Sequence, residues 1–232
     1  MQGSTCKSKQ VRALSAKPRG GSTRAMLGRY AAAVLAVVLV ANAAPANATL
    51  APNADPMTVA QTTVNEGLTV LADKATPLGQ RQEQLKQIVA AGFDYAEMSR
   101  SAMGYHWRQL SPDQQMEFTE VFTSFVQDAY LSKINEYQGQ QVDFVKSRPD
   151  GPDYAQVYSN VLQDGKPSLP VNYRLKKTAG GWKIYDVTVD AISIIGNYRN
   201  QFNRVMNNKG YATLISDLKS KQASIAATLG AN

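Results

Sequence analysis

LPVNYRLKKTAGGWKIYDVTVD, residues 169–190, holds two runs of alternating character around a glycine pair, and its reading decides the fold. In the first run Leu169, Val171, Tyr173 and Leu175 are apolar, while Asn172, Arg174 and Lys176 fall between them. That is the period of a strand with one dry face. After Ala179-Gly180-Gly181 the pattern returns, with Tyr185, Val187 and Val189 set against Lys183, Asp186, Thr188 and Asp190. So short a link makes the two strands antiparallel neighbours, because parallel neighbours need a long crossover.

Two more period-2 runs lie upstream. Tyr154–Leu162 carries Ala155, Val157 and Val161 on one side, and Gln141–Lys146 precedes it. Pro149-Asp150-Gly151-Pro152 and Asp164-Gly165-Lys166-Pro167 supply the turns, which predicts an antiparallel meander of about four strands over 140–191. From Met57 to about Tyr137 the spacing is helical instead. Val59, Val64, Leu68 and Leu71 mark a first helix, and Leu85, Ile88 and Val89 a second, closed by Gly92. Asp94 is placed to cap a third. Ser111 followed by Pro112 opens the fourth, which carries Phe122, Phe125, Tyr130 and Ile134 on one side and is expected to cover the dry sheet face. Downstream, Ala191–Ile195 reads as an apolar bend. Helices are expected at Asn197–Asn208 and from Tyr211 to about Thr228, with Gly210 between them. Helices, a sheet, then helices again make an α+β layout.

The N-terminus reads as a targeting segment. Residues 1–29 hold seven basic side chains and no acidic one; a run of small and apolar residues follows up to Ala44, and then Ala46-Asn47-Ala48. A basic region, an apolar region and an A-x-A site make a secretory signal peptide over 1–48. The apolar run is short against the roughly 20 residues of a membrane span. Residues 49–56, TLAPNADP, then form a tether to a single domain over 57–228. The whole chain carries 25 Lys+Arg and 18 Asp+Glu. Taking away the seven basic residues of the leader leaves 18 against 18. The basic character belongs to the leader, so nothing points to nucleic acid. Cys6, the one cysteine, also lies in the leader. The exported part therefore has no disulfide, thiolate metal site or cysteine nucleophile.

Catalytic signals are weak. His106 is the single histidine, no GxSxG or GxxxxGK[ST] motif occurs, and no His/Cys/Asp cluster has metal-ligand spacing. Asp186 and Asp190 stand about 14 Å apart along one strand, both are expected to face water, and they are too distant to cooperate. No enzyme, no cofactor and no metal is expected. Periodicity alone reads the dry sheet face as ordinary core.

A resemblance adds to this reading. Phe93-Asp94-Tyr95, the run Gly104-Tyr105-His106-Trp107-Arg108-Gln109-Leu110-Ser111-Pro112-Asp113-Gln114, Phe118, Tyr173-Arg174-Leu175, Gly180-Gly181-Trp182-Lys183-Ile184-Tyr185-Asp186-Val187 and Asn197-Tyr198-Arg199-Asn200-Gln201-Phe202 together resemble the toluene-tolerance/MlaC family. The resemblance implies an NTF2-like sheet packed with a helical subdomain, and a monomeric phospholipid carrier of the periplasm. Acyl chains would lie buried and the head group near solvent. The implied partners are an inner-membrane ABC transporter with a lipid-binding ring protein and an outer-membrane lipoprotein–porin complex, the whole maintaining outer-membrane lipid asymmetry. A hopanoid carrier of the same family, or a periplasmic chaperone or adaptor for apolar peptide, are the alternatives. On this reading the expected lipid-binding residues are Phe122, Phe125, Tyr130, Ile134, Val157, Val171, Tyr173, Tyr185, Val187, Val189, Ile192 and Ile194. Arg108, Arg174 and Arg199 are the candidates for partner or head-group contact.

Overall fold

The computed structural model describes residues 53–163, 166 and 168–230. The expected signal peptide and the first part of the tether lie outside the described residues. Helix α1, Pro56–Ala72, starts one residue earlier than its apolar spacing suggests. The Asp55 carboxylate accepts from the N–H groups of Met57 at 2.9 Å and Thr58 at 3.2 Å, satisfying two of the donors that a helix start leaves open. Helix α2 spans Leu78–Gly92 and α3 spans Tyr95–Met103, the latter capped by Asp94, which accepts from the Glu97 N–H at 2.9 Å. A 3-10 turn over Gly104–Gln109, which sequence spacing did not announce, leads to α4 at Pro112–Leu131. Ser111 and Gln114 exchange hydrogen bonds there in a full capping box. Helix α4 stops at Leu131, so Ile134 stands on a separate 3-10 turn, Ile134–Glu136, and not on the long helix as expected.

The sheet is antiparallel throughout, in the order β1 (Gln141–Pro149), β2 (Tyr154–Leu162), β3 (Leu169–Thr178), β4 (Gly181–Val189) and β5 (Ile192–Ser193). The fifth strand corrects the expected bend at Ala191–Ile195. Asp190 and Ala191, with φ of 47° and 64°, fold β5 straight back onto β4. Helix α5 then begins at Ile194, three residues before the expected Asn197, because the Ser193 hydroxyl accepts from the Gly196 N–H at 2.7 Å. Gly210, at φ 79°, separates α5 (Ile194–Lys209) from α6 (Tyr211–Gly230).

Strand β4 does not keep a single register. Val171 pairs with Val189, Tyr173 with Val187 and Arg174 with Asp186, but Leu175 pairs with Ile184. Tyr185 is the extra residue of a β-bulge. Strict alternation places Tyr185 with Val187 and Val189, whereas the bulge turns it to the opposite side with Asp186. There it packs among helical residues.

Two apolar clusters result. One joins the sheet residues Val157, Val171, Leu175, Ile184, Val187 and Val189 to Val59, Ala60, Leu68 and Leu71 of α1. Helix α1, rather than the expected fourth helix, therefore covers the sheet's dry face. The other is aromatic: Phe118 and Phe122 of α4 stack at 5.4 Å, and Phe202 of α5 meets both edge-on at 5.7 and 5.5 Å. Flat rings satisfy one another in that geometry, which keeps α4 against α5 and α6.

Polar contacts fix α2 and α3 on the sheet. Phe93 bridges to Ile184, and the Asp94 N–H donates to the Ile184 carbonyl at 2.8 Å. The buried Glu97 carboxylate accepts from Lys176 Nζ of β3 at 2.7 Å and from Arg100 Nε at 2.9 Å. At the last residue of α2, a Cβ on Gly92 would run into the Thr63 side chain of α1. Gly92→Ala should therefore force α1 and α2 apart and destabilise the fold by about 1–3 kcal/mol, read as a lower denaturant midpoint at unchanged m-value; an unchanged midpoint would show that the two helices do not meet so closely.

Candidate functional site

Between the two clusters runs a cavity of about 140 Å³. Helix α1 lines it with Val64, Gly67, Leu68 and Leu71, and α2 with Leu85, Ile88 and Val89. Val126, Tyr130 and Leu131 of the C-terminal half of α4 stand across from them. Phe93 and Met98, Tyr173 and Val187 of the sheet, and Ile194 and Ile195 at the start of α5 close one end. Gly67 sits inside α1, where glycine costs helix stability. A Cβ there would find only Leu85 Cδ2, at 3.7 Å. The glycine thus leaves space in the wall that a larger side chain would fill.

Few polar groups interrupt this lining. They are Thr63, Lys86, Tyr95, Gln127, Tyr130, Tyr173 and Asp186. Gln127 Nε2 donates to the Tyr95 hydroxyl at 3.1 Å across the α3–α4 contact. Burial holds the Tyr130 hydroxyl well above the ordinary phenol range, with the charges of Tyr198 and Asp186 adding to the effect. Tyr130 is therefore a neutral donor at any physiological pH.

Asp186 is the one carboxylate in the lining, and it departs from the sequence expectation. It was expected to face water but is 3% exposed. It keeps the face that alternation gives it, opposite Val187, but helix α5 packs on that face, and there it accepts from the Ser193 hydroxyl at 2.6 Å and the Ile195 N–H at 3.1 Å. Arg174 Nη1 lies 4.0 Å from it, and the same guanidinium lies over the Tyr185 ring at 5.2 Å. Desolvation raises the Asp186 pKa, outweighing the Ser193, Ile195 and Arg174 contacts that favour the charged form.

Of the residues expected to bind lipid, Tyr130, Tyr173, Val187 and Ile194 line the cavity. Ile134, Val157, Val171 and Val189 lie packed in the sheet cluster, and Phe122, Phe125 and Tyr185 in the aromatic one. Ile192 is 48% exposed on β5. Arg108 is exposed on the 3-10 turn, away from the lining. Arg199 is exposed on α5 and its Nε donates to the Ser101 carbonyl at 2.6 Å, so it ties α5 to α3. Sequence reading missed the whole α1–α2 wall. An interior Gly67 on an apolar helix face was the available signal.

With this geometry in place, known proteins bear on the chain. A family model described as MlaC protein matches residues 61–220. The chain belongs to the MlaC family. Among relatives of this MlaC-family chain, the toluene tolerance protein ttg2D of Pseudomonas putida is 28% identical over 129 residues, 55% of this chain and 60% of the relative. The intermembrane phospholipid transport system binding protein MlaC of Haemophilus influenzae is 20% identical over 121 residues, 50% of this chain and 56% of the relative. The chain thus spans less than two thirds of the length of either. A phospholipid-binding protein from Ralstonia solanacearum, solved in complex with a phospholipid, is similar with a TM-score of 0.65 at 26% identity, over 75% of this chain and 99% of that one. Among the described residues no helix is long and apolar enough to cross a membrane.

The buried carboxylate has a testable pH signature. Because the native pKa of Asp186 is raised, its charge costs the folded state most above that pKa, and the cost vanishes below the unfolded value of about 3.9. The stability of the wild type relative to Asp186→Asn should therefore fall as pH rises from about 4 towards neutrality, measured by urea unfolding at several pH values. A difference that grows in favour of the wild type over that range would mean the carboxylate is held charged.

Proposed function

We propose that this chain is a periplasmic carrier that takes phospholipid by its acyl chains into the cavity between the two clusters and moves it between the outer and inner membranes. In this reading it meets an inner-membrane ABC transporter with a lipid-binding ring on one side and an outer-membrane lipoprotein–porin complex on the other, and so maintains outer-membrane lipid asymmetry. The observation that carries the reading is an almost wholly apolar slot in a fold that overlays nearly the full length of a protein solved with phospholipid bound.

Physical chemistry makes the slot suitable. Each methylene taken out of water contributes about 0.8 kcal/mol, so a sixteen-carbon chain left wet costs roughly 12 kcal/mol. The lining hides that surface without asking for a bond to be made or broken. A bilayer hides it equally well, so transfer in either direction has little net driving force. Direction must come from partners and from ATP used elsewhere, since the sequence has no GxxxxGK[ST] loop of its own.

The size of the slot supports entry by a parting of its walls. A dry cavity of roughly 150 Å³ admits a molecule the size of benzene, and this one measures about 140 Å³. Two acyl chains need several times that, so the α1–α2 wall and α4 must part to receive them.

Native mass spectrometry of protein purified without detergent tests the proposal. One or two lipid masses of defined phospholipid class are expected; a bare protein that gains only added apolar peptide would replace the carrier with an adaptor. Gly67→Leu separates cargo from fold. Removing a mid-helix glycine should stabilise the protein by about 0.5–1 kcal/mol, while the new side chain fills the slot and lowers lipid occupancy several-fold. Full occupancy in this variant would place the acyl chains elsewhere.

A further inference from the structure

The lining of the cavity is apolar except for a few groups, and one of them is a cation without a counter-ion. Lys86 is half-buried on α2 and lines the slot. Among the described residues no carboxylate forms an ion pair with it. It stands seven residues before Phe93, or about 10 Å along the helix axis at 1.5 Å per residue, and Phe93 is the point where the chain is bridged to β4. Asp186, also in the lining, stands two residues along β4 from that bridge. The slot thus has a carboxylate where it meets the sheet and an amine well away from it.

A second group independently points to a ligand. Thr63 of α1 also lines the slot, is 5% exposed, and its hydroxyl, packed beside Gly92 at the end of α2, has no hydrogen-bond partner. A buried donor of this kind costs free energy unless an acceptor reaches it. Hydrocarbon offers none, whereas the ester carbonyls of a glycerophospholipid do.

We propose that Lys86 is the phosphate anchor of the cavity: it binds the head-group phosphate of a diacyl phospholipid, with the Thr63 hydroxyl donating to an ester carbonyl. The inference rests on the carrier reading above and deepens it by assigning which end of the lipid goes where. A phosphate at the opposite end would face the Asp186 carboxylate, a like charge in a low-dielectric setting. The arginines that the sequence suggested for this task are committed elsewhere or remote. Arg174 lies over Tyr185 near Asp186, Arg199 holds the Ser101 carbonyl, and Arg108 is outside the lining. Among the described residues that line the slot, Lys86 is the one with a cationic side chain.

The test compares two cargoes with the same chains. Wild type, Lys86→Met and Lys86→Arg are equilibrated with vesicles containing equal amounts of dipalmitoylphosphatidylglycerol and dipalmitoylglycerol, and bound masses are counted by native mass spectrometry. The wild type should favour the phosphate-bearing lipid by roughly 5- to 20-fold at low salt. The preference should shrink as ionic strength rises. Lys86→Met should bring the ratio close to one, and Lys86→Arg should restore it. Inorganic phosphate alone, at millimolar concentration, should leave the thermal midpoint of the wild type unchanged. A wild type that binds both lipids without preference, or a Lys86→Met variant that keeps the preference, overturns the anchor while leaving the carrier standing. A wild type that takes up neither lipid overturns both. A thermal midpoint raised by inorganic phosphate in the wild type but not in Lys86→Met would make Lys86 an anion site independent of lipid, and would also overturn the assignment.

Discussion

The Asp186 carboxylate holds the molecule's corner together. Burying an ionisable group is costly unless its oxygens find donors. Here they find the Ser193 hydroxyl and the Ile195 N–H, both beyond the turn that ends β4. One side chain thereby fixes the order strand, reversal, short strand, helix. The reversal itself is not comfortable. Asp190 and Ala191 both have positive φ, a conformation that favours glycine or asparagine and costs other residues of order 1–3 kcal/mol. The hydrogen bonds to Asp186 and the pairing of Ile192 with Val189 offset that strain. Asp186 and the Ser193 cap together set where α5 starts, and so where it closes the cavity.

That corner also explains why the protein has two apolar clusters and a gap between them. Strand β4 contributes Ile184, Val187 and Val189 to the sheet cluster and Tyr185 to the aromatic one. A strand that feeds both sides keeps the clusters in register without merging them. The aliphatic side chains of α1 pack on the sheet, and the rings of α4 and α5 pack on one another. Flat aromatic contacts and branched aliphatic contacts each close well among their own kind, leaving imperfect fit at the boundary. In a densely packed interior such a boundary is where space remains.

Much of the framework was legible in the sequence. The period-2 runs give β2, β3 and β4 nearly to the residue, the Ser111-Pro112 start gives α4, and Gly210 separates the last two helices. The bulge was not legible, because Tyr185 is itself apolar and continues the alternation of Val187 and Val189, so that only Ile184 falls out of step. Strand β5 was hidden because Asp190-Ala191 is an unusual pair for a tight hairpin. The partner of the sheet was misread for another reason. Both α1 and α4 have apolar faces, and an abundance of phenylalanine on α4 says nothing about whether those rings meet a sheet or other rings. The cavity was the least legible part. Val64, Ile88 and Val89 are the residue types that fill a core as readily as they line a space, and a void is a property of what the neighbours fail to reach. Only the resemblance to a lipid-binding family gave reason to look for one.

The division into two clusters also separates what can change from what cannot. Substitutions within the rings of Phe118, Phe122 and Phe202, or among Val157, Val171 and Leu175, act on foldability. Gly67 and Ile88 line the slot but belong to neither cluster, so substitutions there alter its wall first. A lineage can therefore change the size of the slot by drift at a few wall positions. Evolvability of this kind follows directly from leaving the space on a boundary rather than in the middle of a core.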